Sequence, residues 1–164
     1  MPTEAEIRVM EILSAIEVPR NAGEMIEAMG NEAVTVVCEA ALGSYPGLRE
    51  KVRTNAVAVL GTIDHQQAEE SIALLVADTK PDVAVRAMRS AGIQKNAAAV
   101  SRLDEVLQRS ESTPVLAAEA VKALRAIATP KARQSLERYQ TAEGSMPAHR
   151  RSALVEDILS QLQP

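Results

Sequence analysis

The sequence predicts an all-α protein folded as a solenoid of about five helical hairpins, and three observations carry that expectation. Prolines at 46, 81, 114 and 147 stand 35, 33 and 33 residues apart. Each precedes a segment with apolar residues at i, i+3, i+4 and i+7, the spacing of one helix face. The chain has no Trp or Phe and only two Tyr, so its core must be assembled from Ala, Val, Leu, Ile and Met, which let paired helices approach closely. A fixed period of this size is the mark of repeat arrays, in which each hairpin buries its apolar face only against its neighbours.

Taken in order, Thr3 and Glu6 form a T-x-x-E capping box. Ile7, Met10, Leu13 and Ile16 then mark one face of a first helix reaching to about Glu17, with Pro19 ending it. Asn21 and Glu24 repeat the cap signature for a short helix through Met25, Ile26 and Met29, closed by Gly30. These two make an atypical N-terminal capping hairpin over residues 1–30, because a terminal unit must turn one face to water. A helix over 32–42 carries Val34, Val37, Cys38 and Ala41 and stops at Gly43. Pro46 then opens a longer helix with the stripe Leu48, Val52, Ala56, Leu60 and Ile63.

Asp64 is expected to cap a helix bearing Ala68, Ile72, Leu75 and Val76, and Pro81 to open one bearing Val83, Ala87, Met88 and Ala91. Asn96 begins the next, with Val100, Leu103, Val106 and Leu107; Thr113-Pro114 begin a helix with Ala117, Val121, Leu124 and Ile127. Thr129-Pro130 open another, with Leu136 and Tyr139 as apolar positions. Residues 144–147 turn the chain into a last helix with Leu154, Ile158, Leu159 and Leu162. The expectation is therefore ten helices in a single domain over 1–164, with repeats over 31–142 and a C-terminal capping helix over 143–164. Register supports it: Ala87, Ala120 and Ala153 align at steps of 33, as do Met88, Val121 and Leu154. Ile72, Leu103 and Leu136 align in the alternate helices, as do Leu75, Val106 and Tyr139.

Residues 52–61, VRTNAVAVLG, followed by Thr62-Ile63-Asp64 and a helix with Ile72, Leu75 and Val76, resemble a HEAT-like repeat of the phycobilisome-lyase type. The resemblance covers residues 31–142 and extends to the last helix. Its Val52-Arg53 and Leu60-Gly61 landmarks become Val83-Ala84 and Ala91-Gly92 in the next repeat, then Leu116-Ala117 and Leu124-Arg125. What the resemblance implies is a right-handed α-α superhelix whose second helices line a concave face. Lyases of that type attach bilins and bind a phycobiliprotein partner on the same superhelix, but no residue here singles out a bilin site, and shared repeats do not transfer an activity.

Charge and chemistry narrow the function. The net charge of −4 and pI near 5.3 disfavour a nucleic-acid partner. Residues 1–48 carry eight Glu against Arg8 and Arg20, either a solvated face or an acidic docking end. The single cysteine, Cys38, sits on an apolar stripe and has no internal disulfide partner. No basic start with an apolar run and no membrane-length apolar stretch is present, so the expected location is cytoplasmic, away from membranes.

His65 and His149 lack ligand-spaced partners, and their dipeptides, His65-Gln66 and His149-Arg150, differ from the His-Glu pairs of HEAT-like iron hydroxylases. HEAT-like DNA glycosylases need a basic groove with aromatic side chains, which Tyr45 and Tyr139 alone supply poorly. The seven glycines are isolated, and the adjacent carboxylates Glu69-Glu70 and Asp104-Glu105 project to different sides of a helix, as solvated faces. No catalytic, cofactor-binding or metal-binding set emerges, and no cofactor is expected.

The remaining candidate is the polar side of the second helices: Arg53, then Arg86 and Arg89, then Glu119, Lys122 and Arg125. It reads either as the solvent side of amphipathic helices or as a mildly basic groove for an acidic peptide or helix. The expected role is a non-enzymatic scaffold or adaptor for a protein partner, whose identity and stoichiometry the sequence leaves open. The alternatives are a lyase-like or cofactor-transferring helper and a solenoid that binds nucleic-acid backbone.

Overall fold

A computed structural model describes residues 1–109 and 112–144, with side chains to residue 141. Among the described residues the fold is all-α: nine α-helices, one 3-10 turn and no strand. The helices are α1 (Glu4–Ser14), α2 (Ala22–Ala28), α3 (Asn31–Leu42), α4 (Glu50–Leu60) and α5 (Gln66–Leu75). After them come α6 (Pro81–Gln94), α7 (Val100–Gln108) preceded by the 3-10 turn Ala97–Ala99, α8 (Pro114–Ile127) and α9 (Pro130–Gly144). The predicted C-terminal capping helix, with Pro147, Ala153 and Leu154, lies outside the described residues beyond the end of α9 at Gly144.

Most helix boundaries follow from local chemistry. The Thr3 hydroxyl accepts from the Glu6 N–H at 3.2 Å while the Glu6 carboxylate accepts from the Thr3 N–H at 2.6 Å, so the predicted capping box is present. Thr113 caps α8 through the Leu116 N–H, and Asn96 caps the 3-10 turn through the Ala98 N–H. Pro81, Pro114 and Pro130 each sit at the first helical position, where a missing N–H has no cost. Gly43 closes α3 at φ +79°, in the left-handed region.

Four local expectations are corrected. Of the expected α1 stripe, Leu13 is buried and Met10 packs against the core, but Ile16 is 89% exposed and Ile7 49%, because α1 stops at Ser14 and turns Val9 inward beside Leu13. Asn21 precedes α2 but its side chain makes no capping bond. Pro46 does not open α4: Gly47 at φ +74° holds the chain in a turn, and the helix begins at Glu50. Asp64 is not the cap of α5. His65 is, its Nδ1 accepting from the Gln67 N–H at 3.1 Å, while the Asp64 N–H donates to the Glu27 carboxylate at 2.6 Å.

The packing is sequential. Helices α3 and α4 pair, as do α5 with α6 and α7 with α8; α4 also lies against α6, and α6 against α8. On the other side α3 touches α5, α5 touches α7 and α7 touches α9, while α1 rests on α3 and α4. The predicted stripes form the core: Val52, Ala56, Leu60 and Ile63, Ala68, Ile72, Leu75 and Val76, Val83, Ala87, Met88 and Ala91, and Leu103, Val106, Val121 and Leu124 are all buried. Burial of the Val, Leu, Ile and Met side chains among them is worth about 1.5–3 kcal/mol each, so the core dominates stability. Small residues set the closest approaches. Gly92 on α6 faces Ala123 and Ala126 on α8, and Gly61 lies against Ser90.

Several polar bonds between helices span similar separations along the chain. Ser90 donates to the Val57 carbonyl 33 residues away, Gln94 to the Leu60 carbonyl at 34, and Thr35 to Gln67 at 32. Asp104, expected as a solvated face, instead accepts from Ser135 and Arg138, 31 and 34 residues on. Among the described residues no buried side-chain nitrogen or oxygen lacks a partner, as close packing requires. None of the helices there is long and apolar enough to cross a membrane.

Candidate interaction ridge

Helices α4, α6 and α8 lie side by side, and their outward positions make one continuous ridge. A depression of about 840 Å³ crosses their N-terminal ends, bordered by Lys51 and Thr54 of α4, Val85 and Arg86 of α6, and Val115 and Leu116 of α8. A second, of about 540 Å³, runs between α6 and α8 past Gly92, Ile93, Glu119, Lys122 and Ala126. Arg89 borders both. Two large apolar side chains stay open to solvent there, Ile93 and Val115.

The six charged residues expected on this surface fall into different situations. Arg53 is drawn inward: its Nη2 lies 2.7 Å from Asp78 and its Nε donates to the Ala41 carbonyl at 2.8 Å, with both side chains only 14% and 17% exposed. It therefore ties α3, α4 and the end of the α5 segment together. Arg89 donates to both Glu119 oxygens, Nε at 3.2 Å and Nη2 at 3.0 Å. Lys122 stands 4.0 Å from the same carboxylate. Glu119 is mostly covered, and the Arg89 hydrogen bonds hold its carboxyl below the usual glutamate range against an opposing contribution from burial. Arg86 and Arg125 are exposed, and among the described residues no ion pair or hydrogen bond engages either.

Sequence reasoning missed Lys51, which borders the larger depression and donates to the Ile16 carbonyl at 3.1 Å, and Asp78, which neutralises Arg53. Asp78 sits in a turn with no helical register to align it, so only the folded path brings it to Arg53. The Arg89–Glu119 pair had a trace in the register: Glu119 aligns with Arg86, so the bond runs diagonally, one helical turn along the neighbouring helix.

What this surface can do is hold acidic and apolar groups together. Unpaired guanidinium beside exposed aliphatic side chains suits a carboxylate next to an apolar anchor, since arginine can take a carboxylate with two parallel bonds. Elsewhere, among the described residues, no three His, Cys, Asp or Glu side chains gather in a metal-binding arrangement. His65 is spent on its cap, with Nε2–H directed at Asn31 Oδ1 at 3.3 Å. The Cys38 thiol is buried, and burial pushes its pKa up against a hydrogen bond from Ser71. No protein-family model matches the chain, and no curated protein is significantly similar to it.

Proposed function

We propose that the chain is a non-enzymatic protein-binding scaffold, a right-handed HEAT-like solenoid that engages a protein partner along the ridge of α4, α6 and α8. The observation that carries this reading is the combination of unpaired Arg86 with exposed Val115 and Ile93 along one uninterrupted row of helices. Support for the solenoid comes from packing in which each helix touches the equivalent helix of the next pair, and from polar bonds that span 31–34 residues, close to the proline period. The mechanism is rigid display. Stacked hairpins hold the ridge side chains in place, so a partner does not have to order them on binding.

Affinity capture from native extract, with the chain as bait, tests the function. The expected result is a protein partner in near-stoichiometric amount that is lost when Arg86→Glu and Lys122→Glu are combined. Retention of the partner by that variant, or turnover of a substrate by the isolated chain, would overturn the reading.

A further inference from the structure

We propose a second docking surface, at the α1 end of the chain, for a basic amphipathic helix of a protein partner. The observation is an acidic rim around an apolar floor. A depression of about 580 Å³ lies between the start of α1 and Tyr45, floored by Met1, Ile7 and Met10 and edged by Glu6 and Glu11. Ile7 is half exposed although it belongs to a helix whose opposite face is buried. Leaving such a side chain in water forgoes the stabilisation that covering it would supply.

The rim selects the charge of the occupant. Tyr45 hydroxyl bridges the carboxylates of Glu6, at 3.2 Å, and Glu39, at 3.3 Å, which places two negative charges beside the floor. Glu11 is exposed and engaged in no hydrogen bond or ion pair among the described residues. Eight Glu stand against two Arg over residues 1–48, and Arg8 is spent on Glu4 at 2.9 Å. Lys51 is likewise engaged, its Nζ donating to the Ile16 carbonyl just past the C-terminal end of α1. A partner with lysines or arginines flanking an apolar stripe satisfies rim and floor at once, whereas an acidic helix or an anionic membrane is repelled. Methionines on the floor adapt to the shape of the apolar stripe because the thioether chain is flexible. This surface is separate from the ridge and does not depend on it.

The probe is a labelled synthetic helix of about 18 residues with leucines on one face and lysines elsewhere. Controls are a scrambled peptide of identical composition and a leucine/glutamate counterpart, read by fluorescence anisotropy at low salt. The Lys/Leu helix is expected to bind, with both controls at least about tenfold weaker, the scale of one good anchor. Ile7→Ser and Glu11→Lys should each weaken it about tenfold with unchanged melting, and Arg86→Ala should leave it unaltered. Equal binding of the scrambled peptide, or no effect of Ile7→Ser, would overturn the proposal. So would sedimentation showing that a second copy of the chain covers this surface in a dimer that Ile7→Ser dissociates.

Discussion

Arg89 of α6 takes both carboxylate oxygens of Glu119 on α8, through Nε and Nη2, the same two-bond geometry proposed for a partner's carboxylate on the ridge. The same pair welds two adjacent helices. Because the hydrogen bonds from Arg89 lower the Glu119 pKa, the stabilisation is complete above the usual glutamate pKa of about 4.3 and fades as pH falls through the lower, folded-state value. Glu119→Gln is therefore expected to reduce the urea midpoint at neutral pH, with the gap from the parent closing in acid. A gap that does not depend on pH would show that the carboxylate charge plays no part.

Arg53 and Arg86 look alike in sequence and differ in role. Removing Arg53 leaves Asp78 with a poorly solvated charge and the Ala41 carbonyl without its donor, and Arg53→Ala is expected to cost about 2–4 kcal/mol. Arg86→Ala should change stability by less than about 0.5 kcal/mol. Equilibrium denaturation of the two variants decides it, and equal effects would contradict the placement of Arg53 inside the fold.

Gly61 tests the close approach of α4 to α6. Its φ of −63° is one that alanine adopts freely, so on backbone entropy alone Gly61→Ala should stabilise. An added Cβ, however, would stand 2.6 Å from Ser90 Oγ and 3.1 Å from Ser90 Cα. The clash includes backbone and is expected to dominate, lowering stability by about 1–3 kcal/mol. A raised melting temperature would show that the two helices can separate without penalty.

Tyr45 makes an alkaline prediction. Burial and then the hydrogen bond to Glu6 push its pKa up to about 12, so the neutral phenol is favoured in the folded state. That contribution is fully present below the unfolded value of about 10 and is lost as pH rises toward the folded one. Thermal melts across this window should fall less steeply for Tyr45→Phe than for the parent. Identical slopes would place the steepness elsewhere.

How legible the molecule was depended on how local each decision is. The segment Pro81–Gln94 could be read entirely from its residues: proline at the first position, then Val83, Ala87, Met88 and Ala91, all of them buried. The caps at Thr3 and Thr113 were equally readable, because the atoms that satisfy each other lie three residues apart. The face of α1 was not. A terminal helix has neighbours on one side only: Leu13 is buried as its spacing predicts, but Ile7 and Ile16 fit the same period and stay exposed while Val9, off that stripe, is buried. On the ridge, the helices and outward positions were legible, but which charges are free was not. Arg53 and Asp78 meet across 25 residues and Arg89 and Glu119 across 30, distances that only the folded chain closes.

The ridge itself is tested most directly by photo-crosslinking. A photoreactive amino acid placed at Lys122, in the middle of the exposed face of α8, should crosslink to the captured partner in high yield, and the same group at Glu105 on α7 should not. Crosslinking from Glu105 and none from Lys122 would contradict the account, because it would put the partner on the other row of helices.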